Sequence, residues 1–305
     1  MSSVVYDFAL LMPELPEVET IARGLAKRVT GEVIESVWLG QKKEPLKSPA
    51  AEIATVLEHR RIADVRRMGK HIVFELNPAG RVSSSGNGHK FKKAAAGARS
   101  TSAAHPKAQW IVHLGMTGRL EVCDPQTEIP KHTHAIVKLS SGRELRFVDP
   151  RRFGRLSVAS SGDFDATGVE PLEVGLERFV ELFRGRKTPI KSALLNQKLL
   201  RGVGNIYADE SLFRAGIRPR RRAASVTREQ LSGLCRSLQE VLREAIASGG
   251  SSVSDYVNAD GDEGFFQLQH RVYGREGEPC LVCKTPIKRV VIAGRSSHYC
   301  PKCQK

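Results

Sequence analysis

The C-terminal segment constrains the fold of this chain more than any other. Cys280-x2-Cys283 is followed, sixteen residues later, by Cys300-x2-Cys303. Two pairs at this spacing, each on a tight knuckle, can bring four thiolates to the corners of a tetrahedron, the geometry zinc prefers. A segment this short buries little apolar surface, so the metal would supply its folding energy. Four protein ligands leave no open position for water, which makes the ion structural. Paired cysteines of this kind belong in a reducing compartment and not in a secreted disulfide framework. Cys123 and Cys235 have no partner at ligand spacing and read as core thiols. Lys284, Lys288, Arg289 and Arg295 stand between the pairs, charges that suit a nucleic acid or a solvated face alike.

The chain has 305 residues, enough for two or three small domains, and a formal net charge of +15. That excess favours a polyanionic partner. No apolar run is long enough to span a bilayer, and the first residues, MSSVVYDFALLM, lack the basic start and small-residue cleavage site of a secretory signal.

Hydrophobic periodicity divides the chain. Val18, Ile21, Ala22, Leu25 and Val29 fall on one face of a helix predicted over Leu15–Val29. Pro16 suits its first turn, and Glu17 and Glu19 sit where the helix dipole favours negative charge. Strand-like runs follow at Val33–Leu39, His71–Leu76, Trp110–Leu114, Ala135–Leu139 and Glu144–Val148. Residues 80–109 interrupt them with six Lys/Arg and no acidic residue, which reads as an inserted flexible basic loop. From about Leu172 the period becomes helical, with helices predicted at Leu176–Arg184, Ser192–Leu199, Asp209–Ala215 and Thr227–Ser248. Thr227 and Gln230 form a capping-box pattern. The domains expected are therefore 13–158, with the insertion at 80–109, then 165–257 and 269–305, preceded by an upstream extension over 1–11.

The segment Met12-Pro13-Glu14-Leu15-Pro16-Glu17-Val18-Glu19-Thr20 resembles the N-terminus of formamidopyrimidine-DNA glycosylases, the bacterial enzymes for oxidised purines. His113-Leu114-Gly115-Met116-Thr117-Gly118, Asp149-Pro150-Arg151-Arg152-Phe153-Gly154, Gly202-Val203-Gly204-Asn205-Ile206-Tyr207-Ala208 and the run from Val272-Tyr273-Gly274-Arg275 through the four cysteines resemble that family in the same order. The resemblance implies an α+β multidomain fold: an N-terminal helix with a two-layered β-sandwich, a helix–two-turns–helix domain, and a C-terminal β-hairpin zinc finger holding one zinc ion. It implies a monomer that binds damaged double-stranded DNA, in the bacterial cytoplasm and on the nucleoid when DNA-bound, with no membrane partner.

The resemblance also assigns roles. Pro13 would be the nucleophile. A free α-amine ionises near ~8, so a useful fraction is neutral at physiological pH. Its attack on the sugar C1′ would expel the base and leave an iminium, which acidifies the C2′ proton and permits β- and then δ-elimination. Residues 1–11 would turn Pro13 into an amide, so the expected start is Met12, removed to free the amine. Glu14 would act as general acid/base, and Lys70 would meet the phosphate or damaged nucleotide nearby. The family often carries an aromatic residue after this lysine; here it is His71. Met116, Arg151 and Phe153 would fill the gap left by the extruded base. His113, His132, Lys191, Asn205 and Arg295 would contact the DNA, Arg295 as part of the catalytic set. Asn258–Phe266 corresponds to a loop that closes over the base. Read without the resemblance, Met116 and Phe153 would be core residues, and Arg218, Arg220, Arg221 and Arg222 a solvated cluster.

Two other readings compete. A sister glycosylase for oxidised pyrimidines shares the proline, glutamate and finger; Leu15 in place of glycine, and the complete Asp149–Gly154 motif, favour the purine enzyme. A non-catalytic zinc-ribbon protein explains the charge but leaves Pro13-Glu14 without a role.

Overall fold

The computed structural model describes residues 12–79, 107–160, 164–251 and 264–305. The extension 1–11, most of the basic insertion and most of the base-closing loop lie outside the described residues. Helix α1 (Leu15–Val29) is followed by β1 (Ile34–Leu39), α2 (Ala50–Leu57), β2 (Arg60–Met68), β3 (His71–Pro78), β4 (Ala108–His113), β5 (Arg119–Cys123), β6 (Thr133–Leu139), β7 (Glu144–Val148) and β8 (Arg155–Ala159). Two antiparallel four-stranded sheets result, in the orders β1-β6-β7-β5 and β2-β3-β4-β8. Phe74, Trp110, Val137 and Phe147 fill the core between them. The second half is helical, with α3 (Leu176–Phe183), α4 (Ile190–Leu194), α5 (Asn205–Arg214) and α6 (Arg228–Ala247) around their own core. The hairpin β9 (Lys288–Ile292) and β10 (Arg295–Tyr299) ends the chain.

Several local expectations need correction. The insertion ends before Ala108, because Ala108 and Gln109 pair with Leu76 and Glu75 as part of β4. Gln109 is polar but buried; its amide donates to Glu75 and accepts from the Phe164 N–H, so a core position costs it no hydrogen bond. Helix α4 stops at Leu194, where the Asn196 side chain takes the Lys198 N–H and turns the chain. Helix α5 starts at Asn205, four residues ahead of expectation, directly after Gly204. Cys235 is buried as expected, whereas Cys123 is only partly buried on β5. Among the described residues, no helix is long and apolar enough to cross a membrane.

Helix α1 joins the two cores. Val18, Ile21, Leu25 and Val29 belong to the sandwich core, while Leu15 belongs to the helical one. The N-terminus of α1 is thereby fixed at the domain junction. A buried guanidinium reinforces it: Arg67 of β2 meets Glu19 of α1 at 2.7 Å and Glu170 at 2.8 and 3.0 Å. The turn that follows β2 carries Lys70, so this ion network sets Lys70 relative to α1.

The finger is fastened to α5 by another buried acid. The Glu210 carboxylate accepts the backbone N–H groups of Arg271, Val272 and Tyr273 at 2.8–3.0 Å. Arg218 donates to the carbonyls of Gln304 and Pro301, so this arginine docks the finger and is not simply solvated. Glu210→Ala would strand two buried donors, Val272 and Tyr273, each worth roughly 1–3 kcal/mol, and the part-buried Arg271 N–H. Urea unfolding should show a loss of about 3 kcal/mol or more, and a smaller loss for Glu210→Gln, which retains an acceptor oxygen.

Candidate active site and nucleic-acid interface

The loop Gly202–Asn205 forms a seat for the start of α1. The Leu15 N–H donates to the Gly202 carbonyl at 3.1 Å. The Asn205 N–H, at the N-terminus of α5, donates to Glu14 Oε1 at 2.6 Å. A Cβ on Gly204 would lie 1.9 Å from the Glu14 carboxyl carbon, so only glycine lets this carboxylate approach. The Glu14 N–H is held in turn by Glu17 Oε2 at 2.9 Å. Glu17 Oε1 accepts from the Tyr207 hydroxyl and from the Ser251 N–H.

Glu14 is 4% exposed, and its Oε2 has no hydrogen-bond partner. Burial raises its carboxyl from 4.5 to about 7, against the opposing pull of the Lys70 ammonium. The same burial lowers the Lys70 amine, which Glu14 partly restores. An acid and a cation thus face each other with their ordinary pKa separation narrowed, which suits proton transfer near neutrality.

Both groups line a cavity of about 870 Å³ between the sandwich, the helical domain and the hairpin. His113, Asn205 and Arg295 share its wall. His113 Nδ1 accepts from the Gly115 N–H at 3.0 Å, which leaves the ring proton on Nε2 as a donor. Burial lowers this imidazole to about 3, so it remains neutral. The Asn205 amide nitrogen donates to Ser296 Oγ at 3.3 Å. Its Oδ1, with Glu14 Oε2, His71 Nδ1 and Ser192 Oγ, is a buried polar atom without a hydrogen-bond partner, and all four residues line the cavity. Such atoms are costly in a dry pocket and mark a cavity suited to a polar ligand. Met12 also lines it, while Pro13, between two wall residues, is half-buried and carries an amide nitrogen as the chain runs.

Met116, Arg151 and Phe153 come together on two adjoining loops. Buried Asp149 binds the loops together, accepting from the Thr117 hydroxyl at 2.6 Å and from the Gly154 N–H at 2.7 Å. Gly115, at φ +69°, has no room for a side chain: a Cβ would lie 2.5 Å from the Phe153 carbonyl carbon. Phe153 is 50% exposed, with the Arg151 guanidinium 4.9 Å above its ring. Met116 is partly buried, so neither apolar side chain is a core residue. Exposed His132 lies at the base of the same unit, its carbonyl accepting the Asp149 N–H.

Lys191, expected on the DNA backbone, is placed by the fold against Asp209. Its ammonium is fully buried, 2.7 Å from Asp209 Oδ1, and donates to the Ser296 carbonyl at 2.6 Å. No charge remains free for a phosphate. The N-terminal N–H of α5 is likewise spent on Glu14, so Asn205 offers the cavity only its side chain. Asp149 and Tyr273, in the motifs above, and Asp209, at a predicted helix start, had no role assigned from the sequence. Asp149 follows a strand that also holds Glu144 and Arg146, and Asp209 is next to Glu210 and Ser211, so residue type does not single either acid out or name its partner.

The four cysteine sulfurs lie within 4.8 Å of one another. Zn–S bonds of about 2.3 Å put tetrahedral sulfurs roughly 3.8 Å apart, so the cluster fits zinc. Phe213, Val272 and Ile287 are the apolar residues packed against it. Zinc bound by these four thiolates would supply folding energy and no chemistry.

Sandwich, junction cavity and cysteine-pinned basic hairpin together make a frame suited to a polyanionic ligand with a polar group held in the cavity. The comparisons make this specific. The model of the formamidopyrimidine-DNA glycosylase N-terminal domain matches residues 12–156, that of the H2TH domain 167–257, and that of a zinc finger found in FPG and IleRS 277–305. A formamidopyrimidine-DNA glycosylase from Solibacter usitatus is 43% identical over 96% of this chain and 100% of its own length. The crystal structure of MutM (Fpg) from Thermus thermophilus matches with a TM-score of 0.77 at 39% identity, over 96% of this chain and 98% of that one. Lactococcus lactis Fpg bound to DNA containing an abasic site matches with a TM-score of 0.80 at 30% identity, over 96% of this chain and 99% of that one. The chain belongs to the formamidopyrimidine-DNA glycosylase family. Its class is that family's: a DNA glycosylase with lyase activity at abasic sites.

The Glu14 pKa has a consequence for stability. A carboxyl whose pKa rises on folding contributes stability that is complete below about 4.5 and lost as pH climbs through about 7. Glu14→Gln removes that loss. Urea unfolding should show the variant gaining on the parent chain between pH 5 and pH 8. At about 1.4 kcal/mol for each pH unit between 4.5 and about 7, the gain approaches about 3 kcal/mol.

Proposed function

We propose that this enzyme removes oxidised purines, 8-oxoguanine and formamidopyrimidines, from duplex DNA through a Schiff base on Pro13. The observation that carries the reading is the seating of Glu14: buried, with one oxygen unpartnered, ionising near 7, and opposed to Lys70 in a cavity of unsatisfied polar atoms. The nucleophile is the Pro13 amine, freed when the chain is cut after Met12. The family match begins at residue 12, which supports that start. Loss of Met12 would open the part of the cavity wall beside the Pro13 nitrogen.

The amine lone pair forms the N–C1′ bond while the glycosidic bond breaks, its electron pair leaving with the base, which takes up the proton that the proline nitrogen loses. Glu14 donates its proton to the ring oxygen as the sugar opens, yielding the iminium and a free hydroxyl. The Glu14 carboxylate then takes the C2′ proton, the C–H pair moves toward the iminium to form an enamine, and the enamine's electrons expel the 3′ phosphate. A second elimination expels the 5′ phosphate, and water releases Pro13. Lys70 and Arg295 are cations placed to stabilise the departing phosphates. Neutral His113 offers Nε2–H to the backbone, and Asn205 its side chain. Met116, Arg151 and Phe153 support the opposite strand once the base has swung out; the cation–π contact between Arg151 and Phe153 opens as the phenyl ring wedges between bases. Solved relatives include Lactococcus lactis Fpg with DNA containing Fapy-dG and MutM with DNA containing carbocyclic 8-oxo-G, which supports the substrate class. The enzyme works as a monomer in the bacterial cytoplasm, on damaged DNA, with one structural zinc per chain.

Borohydride reduction during turnover tests the chemistry. Protein beginning at Pro13 should become covalently joined to a duplex containing 8-oxoguanine, and a thymine-glycol duplex should trap at least tenfold less. Pro13→Gly and Glu14→Gln should each lower trapping at least a hundredfold. Efficient trapping by protein that retains residues 1–12 would sink the Pro13 assignment. Elemental analysis should find one zinc per chain, and Cys300→Ser should lose both the metal and DNA binding.

A further inference from the structure

The buried Lys191–Asp209 pair joins α4, α5 and the hairpin. Asp209, on α5, is fully buried and faces two directions. Its Oδ1 lies 2.7 Å from Lys191 Nζ, and its Oδ2 accepts the His298 N–H at 2.8 Å. Lys191 Nζ reaches past the pair to the Ser296 carbonyl at 2.6 Å. One helical turn before Asp209, the Asn205 side chain donates to Ser296 Oγ. Alternate residues of β10 are therefore latched to one face of α5. The hairpin turn next to them is Ala293-Gly294, both at positive φ, the two-residue turn that fixes register most tightly. Arg295 stands between this turn and the latched Ser296.

Stability alone does not explain a buried ion pair here. Apolar residues of similar volume are usually as stabilising, whereas a charged pair selects one geometry. Attachment of the finger does not require the pair either, because Glu210, Arg218 and Gln304 fasten it separately. What the pair adds to the Asn205–Ser296 contact is a second, charged tie that fixes the height of β10 beside the cavity. We infer that Asp209 is a positioning residue, which through Lys191 and His298 sets the register of β10 on α5 and so aims Arg295 at a DNA phosphate. The inference rests on the reading that Arg295 meets DNA.

A binding cycle separates this role from general support. The probe is a duplex carrying a tetrahydrofuran abasic analogue, which binds without reacting, and the readout is the slope of log Kd against log salt. Each lost phosphate contact lowers that slope by about 0.9 in B-DNA. Arg295→Ala should lower it by about one contact and weaken binding about tenfold. Asp209→Asn should do the same, and the double variant should be no worse than Arg295→Ala. A merely structural aspartate would instead weaken binding additively. Should Asp209→Asn fail to fold, Lys191→Met/Asp209→Leu removes both charges without stranding either, and must show the same loss and the same non-additivity. A wild-type slope in Asp209→Asn or in the Met/Leu variant, additive losses, or an unchanged slope in Arg295→Ala would each overturn the inference. Borohydride trapping by the parent enzyme is independent: binding without trapping would sink the proposed chemistry and leave the latch standing.

Discussion

The structure turns on one contact between a carboxylate and a helix N-terminus. Glu14 Oε1 takes the first N–H of α5, at a glycine that leaves no room for a side chain. The positive end of a helix is a natural seat for an anion, and here the occupant comes from the chain itself. This contact brings the start of α1, held by the sandwich core, onto the helical domain. The cavity exists because the two cores meet there.

That seating has an electrostatic price, and the price is what makes the residue useful. Removal from water raises the Glu14 carboxyl toward neutrality, while Lys70 restrains the rise. A solvated glutamate would be ionised throughout the physiological range and could not donate a proton. Buried charges hold the surrounding scaffold to this site. Arg67 fixes the turn that carries Lys70, Glu17 fixes the Glu14 backbone, and Asp209 fixes the strand that carries Arg295. In each case a buried charge held by opposite charges or backbone N–H groups fixes a direction.

The sequence was easiest to read where a local pattern and the tertiary demand coincide. Helix α1 spans the predicted Leu15–Val29 because its apolar face and its acidic start both follow the helical period. The capping box of Thr227 and Gln230 marks the start of α6 for the same reason. Strand β2 went unread because its buried residues, Ile62, Val65 and Met68, recur every third position. A register shift between Ile62 and Asp64 breaks the alternation that identifies strands. Edge strands β5 and β8 are short and carry charge, so their alternation is weak.

Cysteine spacing, helical periodicity and the motif around Glu14 are local properties, and the sequence by itself determined them: a metal-binding hairpin, a leading amphipathic helix, and an acid beside a proline. Tertiary structure alone decided which charges are free. Lys191 and Arg295 are both basic residues in motif positions, yet one is sealed against Asp209 and the other faces the cavity. The physical reason is that burial and ion pairing depend on residues distant in the chain, and a side chain's type does not say which partner folding will bring to it.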